Sequence, residues 1–396
     1  MSDEPPTLKN QWELLSEDLQ ERILLQLPVS TAVRSASVCK RWRSIISSQS
    51  FSSQLAQIPS GRKPWFCLWG INELIHNRSV AFTFDPTLGR WFRVQTLRPP
   101  DFNRTSLAGC HGLFFAFSGS KVCFATNPTK MVWKETTSAS STRCYALMGA
   151  VGEPHCPAGA DAGFSLVAVG GVLDGGDQRL VEMYRSGSHA WEACEPLPST
   201  GFRDTVSCHW MSSAVLGHKL YVADFYGDFA SLDTRTKAWS KVSSLSVPNL
   251  VSLFILACGG RLHAAVVCRP NHSQECLKVF TIDDDGDGDG DGDCHGEASA
   301  MDWHEVSTMP PHLFSHFENA DEHMQASLKC VGSGTAFYVY SECVYSGYPV
   351  CMCELREGEY VWKQLPSLPS PPRFDRVVCC SMVVTPRACL ERDMTD

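Results

Sequence analysis

Histidine, cysteine, aspartate and arginine are the side chains whose chemistry could define a site in this sequence. His111, His209, His263 and His316 could in principle meet near a common opening, but a lone histidine on a strand or loop is more often structural. There is no His-Glu-x-x-His, no Gly-x-Ser-x-Gly elbow and no phosphate-cradling Gly-Lys loop, so no catalytic residue is assigned. Nineteen cysteines occur. Most sit in apolar runs such as Trp65-Phe-Cys-Leu-Trp69 and Val377-Val-Cys-Cys-Ser-Met-Val383, where a free thiol behaves as a small hydrophobe. Cys351/Cys353 and Cys379/Cys380 lack the two-residue gap of zinc knuckles, so no metal ligand is assigned. The seven aspartates between Asp283 and Asp293 invite a calcium reading. A calcium loop would need glutamate at its last ligand position, and frames opening at Asp283, Asp285 or Asp287 place Cys294, Gly296 or Ala298 there. The tract is expected to be a charged, disordered surface insertion over 283–302. No cofactor is implied. What remains is arginine, whose planar guanidinium suits bidentate capture of carboxylates. Arg78, Arg104, Arg143, Arg203 and Arg269 are candidates for gripping a partner protein, unless acidic neighbours such as Asp101, Asp174, Asp204 and Asp321 neutralise them locally.

The chain that must position these residues has 396 of them, room for a large domain and a small one. Apolar residues make up 43 % and charged residues 19 %, the balance of a globular protein. The net charge of −9 resides largely in the aspartate tract, so nothing suggests a nucleic-acid footprint. No apolar run is long enough to span a membrane. The acidic start Met1-Ser-Asp-Glu-Pro-Pro does not read as a secretory signal. The cysteines are therefore expected to be reduced, in the nucleus or the cytoplasm. The sequons at Asn77, Asn103 and Asn271 then mark only polar loops.

Two compositional regimes divide the sequence. Residues 11–57 lack glycine and show helical spacing in Leu19, Ile23 and Leu27. Ser16 is placed to cap the first helix, with Glu17 and Asp18 at its positive end, and Pro28 ends it. Further short helices are expected around Val33 and Ala36 and over Cys39–Ile46. So small a unit buries little apolar area, so it either completes its core against a partner or docks on the rest of the chain. Leu15-Ser-Glu-Asp-Leu-Gln-Glu-Arg-Ile-Leu24, Leu27-Pro-Val29 and Ser37-Val-Cys-Lys-Arg-Trp-Arg-Ser-Ile-Ile46 resemble an F-box, with serine at 16 where that family usually has proline. The resemblance implies a Skp-family adaptor as partner and, through it, a cullin. By the same resemblance the contacts fall on Leu15, Leu19, Ile23, Leu24, Leu27, Pro28, Val38 and Trp42, some of which must instead hold the helices together.

Behind this head the sequence repeats. Tryptophans stand at 91, 133, 191, 239, 303 and 362, each after a β-like run and a short polar turn such as Asp85-Pro-Thr-Leu-Gly-Arg90. Each is preceded by another apolar strand, among them Phe164–Gly171 and Arg261–Cys268. Strands and turns at this period without helical interludes describe a propeller. In the fifth repeat Asp283 matches Asp85 and Asp233, but Trp303 follows too late by the length of the aspartate insertion. Gly170-Gly171, Tyr184 and Trp191 match the kelch repeat, and the chain as a whole resembles plant F-box/kelch proteins, including the group that contains the floral-organ regulators. That resemblance implies a non-catalytic substrate receptor of an SCF-type ubiquitin ligase. A transcriptional co-regulator or scaffold acting without degradation is the alternative, and a kelch-propeller enzyme a remote one.

The expected fold is mainly β: a six-bladed kelch-type propeller over 64–385, at about 50 residues per blade, preceded by a small all-α F-box domain over 11–57 and a linker over 58–63. Residues 1–10 and 386–396 are expected to be tails. Blade one lacks an inner strand of its own, and Arg376–Val384 is a lone strand, so the last strand is expected to close the ring by pairing into blade one. Long connections concentrate on the face carrying the turns between second and third strands and the links between blades. The expected set includes Gly70–Arg78, Pro99–Ser106, Pro154–Gly163, Leu197–Met211, Arg269–Glu275 and Pro310–Ser327. Partner binding is expected there, with Phe314 and Phe317 as an apolar anchor or as packing beneath a long loop.

Overall fold

The computed structural model describes residues 11–58, 63–71, 80–97, 106–110, 112–125, 130–152, 163–173, 175–202, 211–270, 274–282, 303–317, 328–342, 349–369, 374 and 376–390. After a 3-10 turn over Gln11–Leu14, the head consists of α1 (Glu17–Leu25), α2 (Val29–Ser35), α3 (Lys40–Ile46) and α4 (Gln49–Leu55). Ser16 caps α1 by accepting from the Leu19 N–H at 3.4 Å, and Ser48 caps α4 by accepting from the Phe51 N–H at 3.0 Å. Pro28 follows the end of α1 and opens α2.

Six four-stranded antiparallel blades follow. Blade one holds β1 (Trp65–Ile71), β2 (Val80–Asp85) and β3 (Arg90–Leu97); blade two holds β4 (Ser106–Cys110), β5 (Leu113–Ser118), β6 (Lys121–Ala125) and β7 (Lys130–Glu135). Blade three is β8 (Leu147–Gly152), β9 (Phe164–Val169), β10 (Val181–Arg185) and β11 (Ala190–Ala193). Blade four is β12 (Met211–Leu216), β13 (Lys219–Asp224), β14 (Asp228–Asp233) and β15 (Ser243–Ser244). Blade five is β16 (Leu250–Cys258), β17 (Arg261–Cys268), β18 (Cys276–Ile282) and β19 (Trp303–Thr308), followed by the short α5 (Pro311–Phe314). Blade six is β20 (Leu328–Ser333), β21 (Ala336–Ser341), β22 (Val350–Arg356) and β23 (Glu359–Gln364). The ring closes as the sequence suggests: β24 (Arg376–Met382) pairs antiparallel with β1 and becomes the inner strand of blade one. One pairing was not foreseen. The outer strands β3 and β7 run parallel and join blades one and two into a single sheet.

Four of the six repeating tryptophans clamp neighbouring blades through their indole N–H groups. The indole N–H of Trp91 donates to Pro366 O (2.7 Å), Trp191 to Thr137 O (2.8 Å), Trp239 to Glu195 O (2.8 Å) and Trp362 to Ser307 Oγ (2.9 Å). Each bond reaches back to the preceding blade or its link. In blade five Ile282 pairs directly with Trp303, which puts the inserted segment between a third and a fourth strand, as expected. Residues 283–302 themselves lie outside the described residues, as do 1–10.

Two expectations are corrected, and the open alternative for the head is decided in favour of docking on the rest of the chain. The segment after the closing strand is not simply a tail: α6 (Pro386–Leu390) folds back on α2, burying Pro386, Ala388 and Cys389, and Arg387 donates to Gln49 Oε1 at 2.8 Å. The head is not left open on its inner side. Leu24, Ile46 and Phe51 share one continuous core with Trp65, Trp69 and Met382, and the Ser30 hydroxyl donates to Asp85 Oδ2 at 2.7 Å. Finally, 154–163 joins an inner strand (β8) to a second strand (β9), so its ends lie on the head's face and not with the other long connections.

Candidate functional site

The head's outward surface is built by helix periodicity. α1 turns Gln20, Leu24 and Leu25 inward, so Leu19 and Ile23, one turn apart, fall on the opposite stripe. They are 46 % and 44 % exposed, Val38 ahead of α3 is 66 % exposed, and Leu14 is 75 % exposed. These four are the large exposed apolar side chains of the described head. The turn that presents them is held from beneath: the buried Gln20 amide donates to Trp12 O (2.9 Å) and Leu15 O (3.0 Å), and Trp12 packs on Trp42 with ring centres 4.8 Å apart. Of the eight expected contacts, Leu19, Ile23 and Val38 are exposed, while Leu15, Leu27, Pro28 and Trp42 are half-buried. Leu24, 1 % exposed, belongs to the core and cannot reach a partner. Leu14 was missed, although it adjoins Leu15 and lies just ahead of the Ser16 cap.

The opposite end of the molecule is the face where the described links between blades run. The expected grips divide there. Arg143 is buried, and it is a pin, not a grip: its guanidinium donates to Gly170 O (2.6 Å), Leu180 O (3.1 Å) and Glu182 Oε2 (2.7 Å). Burial pushes the Glu182 carboxyl up, but the hydrogen bonds from Arg143 and Ser140 outweigh it and hold the group below its ordinary value. The glycine pair beside it has backbone reasons. Gly171 has φ +67°, and a Cβ there would stand 2.4 Å from Cys144 O. Arg269 pairs with Glu275 at 2.7 Å, the local neutralisation the sequence allowed for. Phe314 is buried and Phe317 packs beside it in the core between blades five and six. Arg78, Arg104 and Arg203 lie outside the described residues.

The structure puts other groups at this end. The six inner strands enclose a channel of about 610 Å³, and its charged described lining is Lys329, Glu342 and Arg376, contributed by blades six and one. Arg376 stacks over the Tyr145 ring at 4.4 Å and stands 3.8 Å from Glu342 Oε1. Lys329 lies 5.4 Å from the centre of the Phe225 ring, and burial, aided by Arg376, holds its ammonium below the ordinary lysine value. Tyr226 beside Phe225 is 53 % exposed. Sequence reasoning missed this set because its members come from separate blades and share no motif.

Of the four candidate histidines, the two described ones, His263 and His316, stand apart, on β17 and after α5. His263 is buried on β17, with Nε2 at 2.7 Å from the Tyr360 hydroxyl, and desolvation lowers it to about 4. His316 is exposed after α5, and His111 and His209 lie outside the described residues. No group of three metal-ligating side chains occurs among the described residues.

Residues 12–54 match the F-box domain. The chain is 23 % identical to an F-box/kelch-repeat protein of Arabidopsis thaliana over 88 % of its own length and 84 % of that protein's. It is 26 % identical to F-box only protein 6 of Arabidopsis thaliana over 76 % of this chain and 59 % of that one. It is 22 % identical to the protein UNUSUAL FLORAL ORGANS of the same plant, over 81 % and 72 % of the respective chains. The chain thus carries an F-box ahead of a six-bladed kelch-type propeller and resembles plant F-box/kelch proteins through most of its length.

Proposed function

We propose that this protein is the non-catalytic target receptor of a Skp–cullin–F-box ubiquitin ligase, working in the nucleus or the cytoplasm. The head binds a Skp-family adaptor through Leu14, Leu19, Ile23 and Val38, with Leu15, Leu27, Pro28 and Trp42 shaping the surface beneath them. The propeller presents a target protein on the opposite face, around the mouth of the channel. The observation that carries this reading is the head's one-sided exposure: its inner side is filled by its own propeller, yet several large apolar side chains stay in water on the outer side. Burying such a patch is what an adaptor would do.

Affinity capture from plant extract tests it, with wild type beside the Leu19→Ala/Ile23→Ala double variant. Wild type should bring down adaptor and cullin, and the double variant should lose both while retaining propeller partners. Absence of adaptor from the wild-type capture would overturn the proposal. Adaptor capture without ubiquitin transfer to any retained partner would favour the scaffold reading.

A further inference from the structure

Two pairs of cysteines face each other directly across antiparallel strands, Cys67 with Cys380 and Cys268 with Cys276. Opposed residues in such ladders have Cα atoms about 4.5 or 5.5 Å apart, and both spacings lie within what a disulfide spans. The pairs differ in access. Cys67 and Cys380 are both buried at the closure of the ring, whereas Cys276 is half-exposed beside a buried Cys268, with the two sulfurs 3.7 Å apart. The second pair also sits where the second-to-third-strand connection of blade five begins and ends. The Arg269–Glu275 ion pair lies immediately inside it.

We propose that Cys268 and Cys276 are a site of reversible peroxide oxidation, forming a disulfide that ties the two ends of this connection together. The inference stands apart from the ligase reading and does not need it. Hydrogen peroxide is the oxidant. The Cys276 thiolate attacks one peroxide oxygen, the O–O bond breaks, and Cys276 becomes a sulfenic acid with release of water. The Cys268 thiolate then attacks the Cys276 sulfur, the S–O bond breaks, and a second water leaves. Overall two thiols and one peroxide yield one disulfide and two waters, with two electrons passing from sulfur to oxygen. The order follows from access. Burial pushes the Cys268 thiol up to about 11, making it the poorer first nucleophile, but contact distance compensates once its partner is activated. In a reducing compartment such a bond is transient and regulatory, not structural.

The test uses the full chain, reduced, exposed to graded hydrogen peroxide, quenched with an alkylating reagent and mapped by peptide mass spectrometry. The expected result is the loss of two alkylatable thiols as a Cys268–Cys276 cross-link that forms before any Cys67–Cys380 link and is reversed by dithiothreitol. In the Cys268→Ser variant Cys276 should stop at a sulfenic acid trapped by dimedone. In the Cys276→Ser variant Cys268 should stay alkylatable. The proposal is overturned if Cys276 remains free at a dose that oxidises the exposed Cys39, or if it links to a different cysteine.

Discussion

Replacing Arg143 by leucine separates a pin from a grip. In the folded protein this guanidinium is buried against Glu182, and removing it leaves a carboxylate without its partner between blades two and three. Breaking a buried pair in this way costs about 3–5 kcal/mol. The carbonyls behave differently. Leu180 O still accepts from the Gly170 N–H at 3.0 Å, so only Gly170 O loses its donor. The double variant Arg143→Leu/Glu182→Leu removes both charges and should therefore recover much of the loss, staying below wild type by about 1–3 kcal/mol for the orphaned Gly170 carbonyl, with a smaller loss at the Ser140 N–H, which no longer donates to Glu182 Oε1. Urea unfolding monitored by tryptophan fluorescence measures both, and the difference between single and double variants is the coupling. The pH dependence has a definite sign. Glu182 is held below its ordinary value, so its contribution is complete above the unfolded carboxylate range, near pH 4.3, and is lost as pH falls through the lower folded value. Glu182→Gln should remove that acid-limb component. If Arg143→Leu unfolds like wild type while capture of a target is lost, Arg143 is a grip after all and the reasoning fails.

Three further outcomes follow from the same geometry. The double variant Leu19→Ala/Ile23→Ala should shift stability by no more than about 0.5 kcal/mol per site, because both side chains are exposed, whereas Leu24→Ala should cost about 2–5 kcal/mol; unfolding curves of the two variants decide this. His263 is pushed down to about 4 from 6.5, so the unfolded chain binds its proton first and stability should fall by roughly 3 kcal/mol as pH drops through that window. Unfolding at stepped pH should show this slope in wild type and its loss in His263→Gln. Ala388→Asp would put a charge where α6 meets the head and Gly112, whose added Cβ would lie 2.8 Å from Ala388 Cβ, and limited proteolysis should then cut between α4 and β1 several-fold faster than in wild type.

What was legible in the sequence was what repeats locally. The tryptophans marked the outer strands, the Asp-turn-Trp interval marked the hairpins, and the displacement of Trp303 marked an insertion that the Ile282–Trp303 pairing places where expected. The head showed through the spacing of Leu19 and Ile23 and the cap at Ser16. Contacts between distant segments left no such trace. Arg143 read as a loop arginine because its carboxylate lies 39 residues away on a neighbouring blade's third strand. Phe314 stayed open between an anchor and packing beneath a long loop because nothing nearby reveals the blade-six residues that cover it. α6 is five residues long, too short to display a helical period. The channel mouth was invisible for a related reason, since Tyr145, Phe225, Lys329 and Arg376 become neighbours only after the ring has closed.

Ring closure also decides where the head must sit. Because β24 pairs antiparallel with β1, Trp65 lies opposite Met382, and the chain enters and leaves the propeller side by side on one face. The helices before β1 and the helix after β24 therefore meet without a long connection, and α6 lies on α2 as the register requires. The β2–β3 turn opens on that same face, which brings Asp85 to Ser30; its other carboxylate oxygen accepts from the Thr87 and Leu88 N–H groups at 2.8 and 3.1 Å. Head, closing strand and first hairpin are thereby one packed body, and a packed core does not flex continuously. The links leaving fourth strands emerge from the other face by the same antiparallel alternation. An adaptor held at Leu19 and Ile23 and a target held around the channel mouth would then keep a fixed separation set by strand topology, with no hinge needed between them.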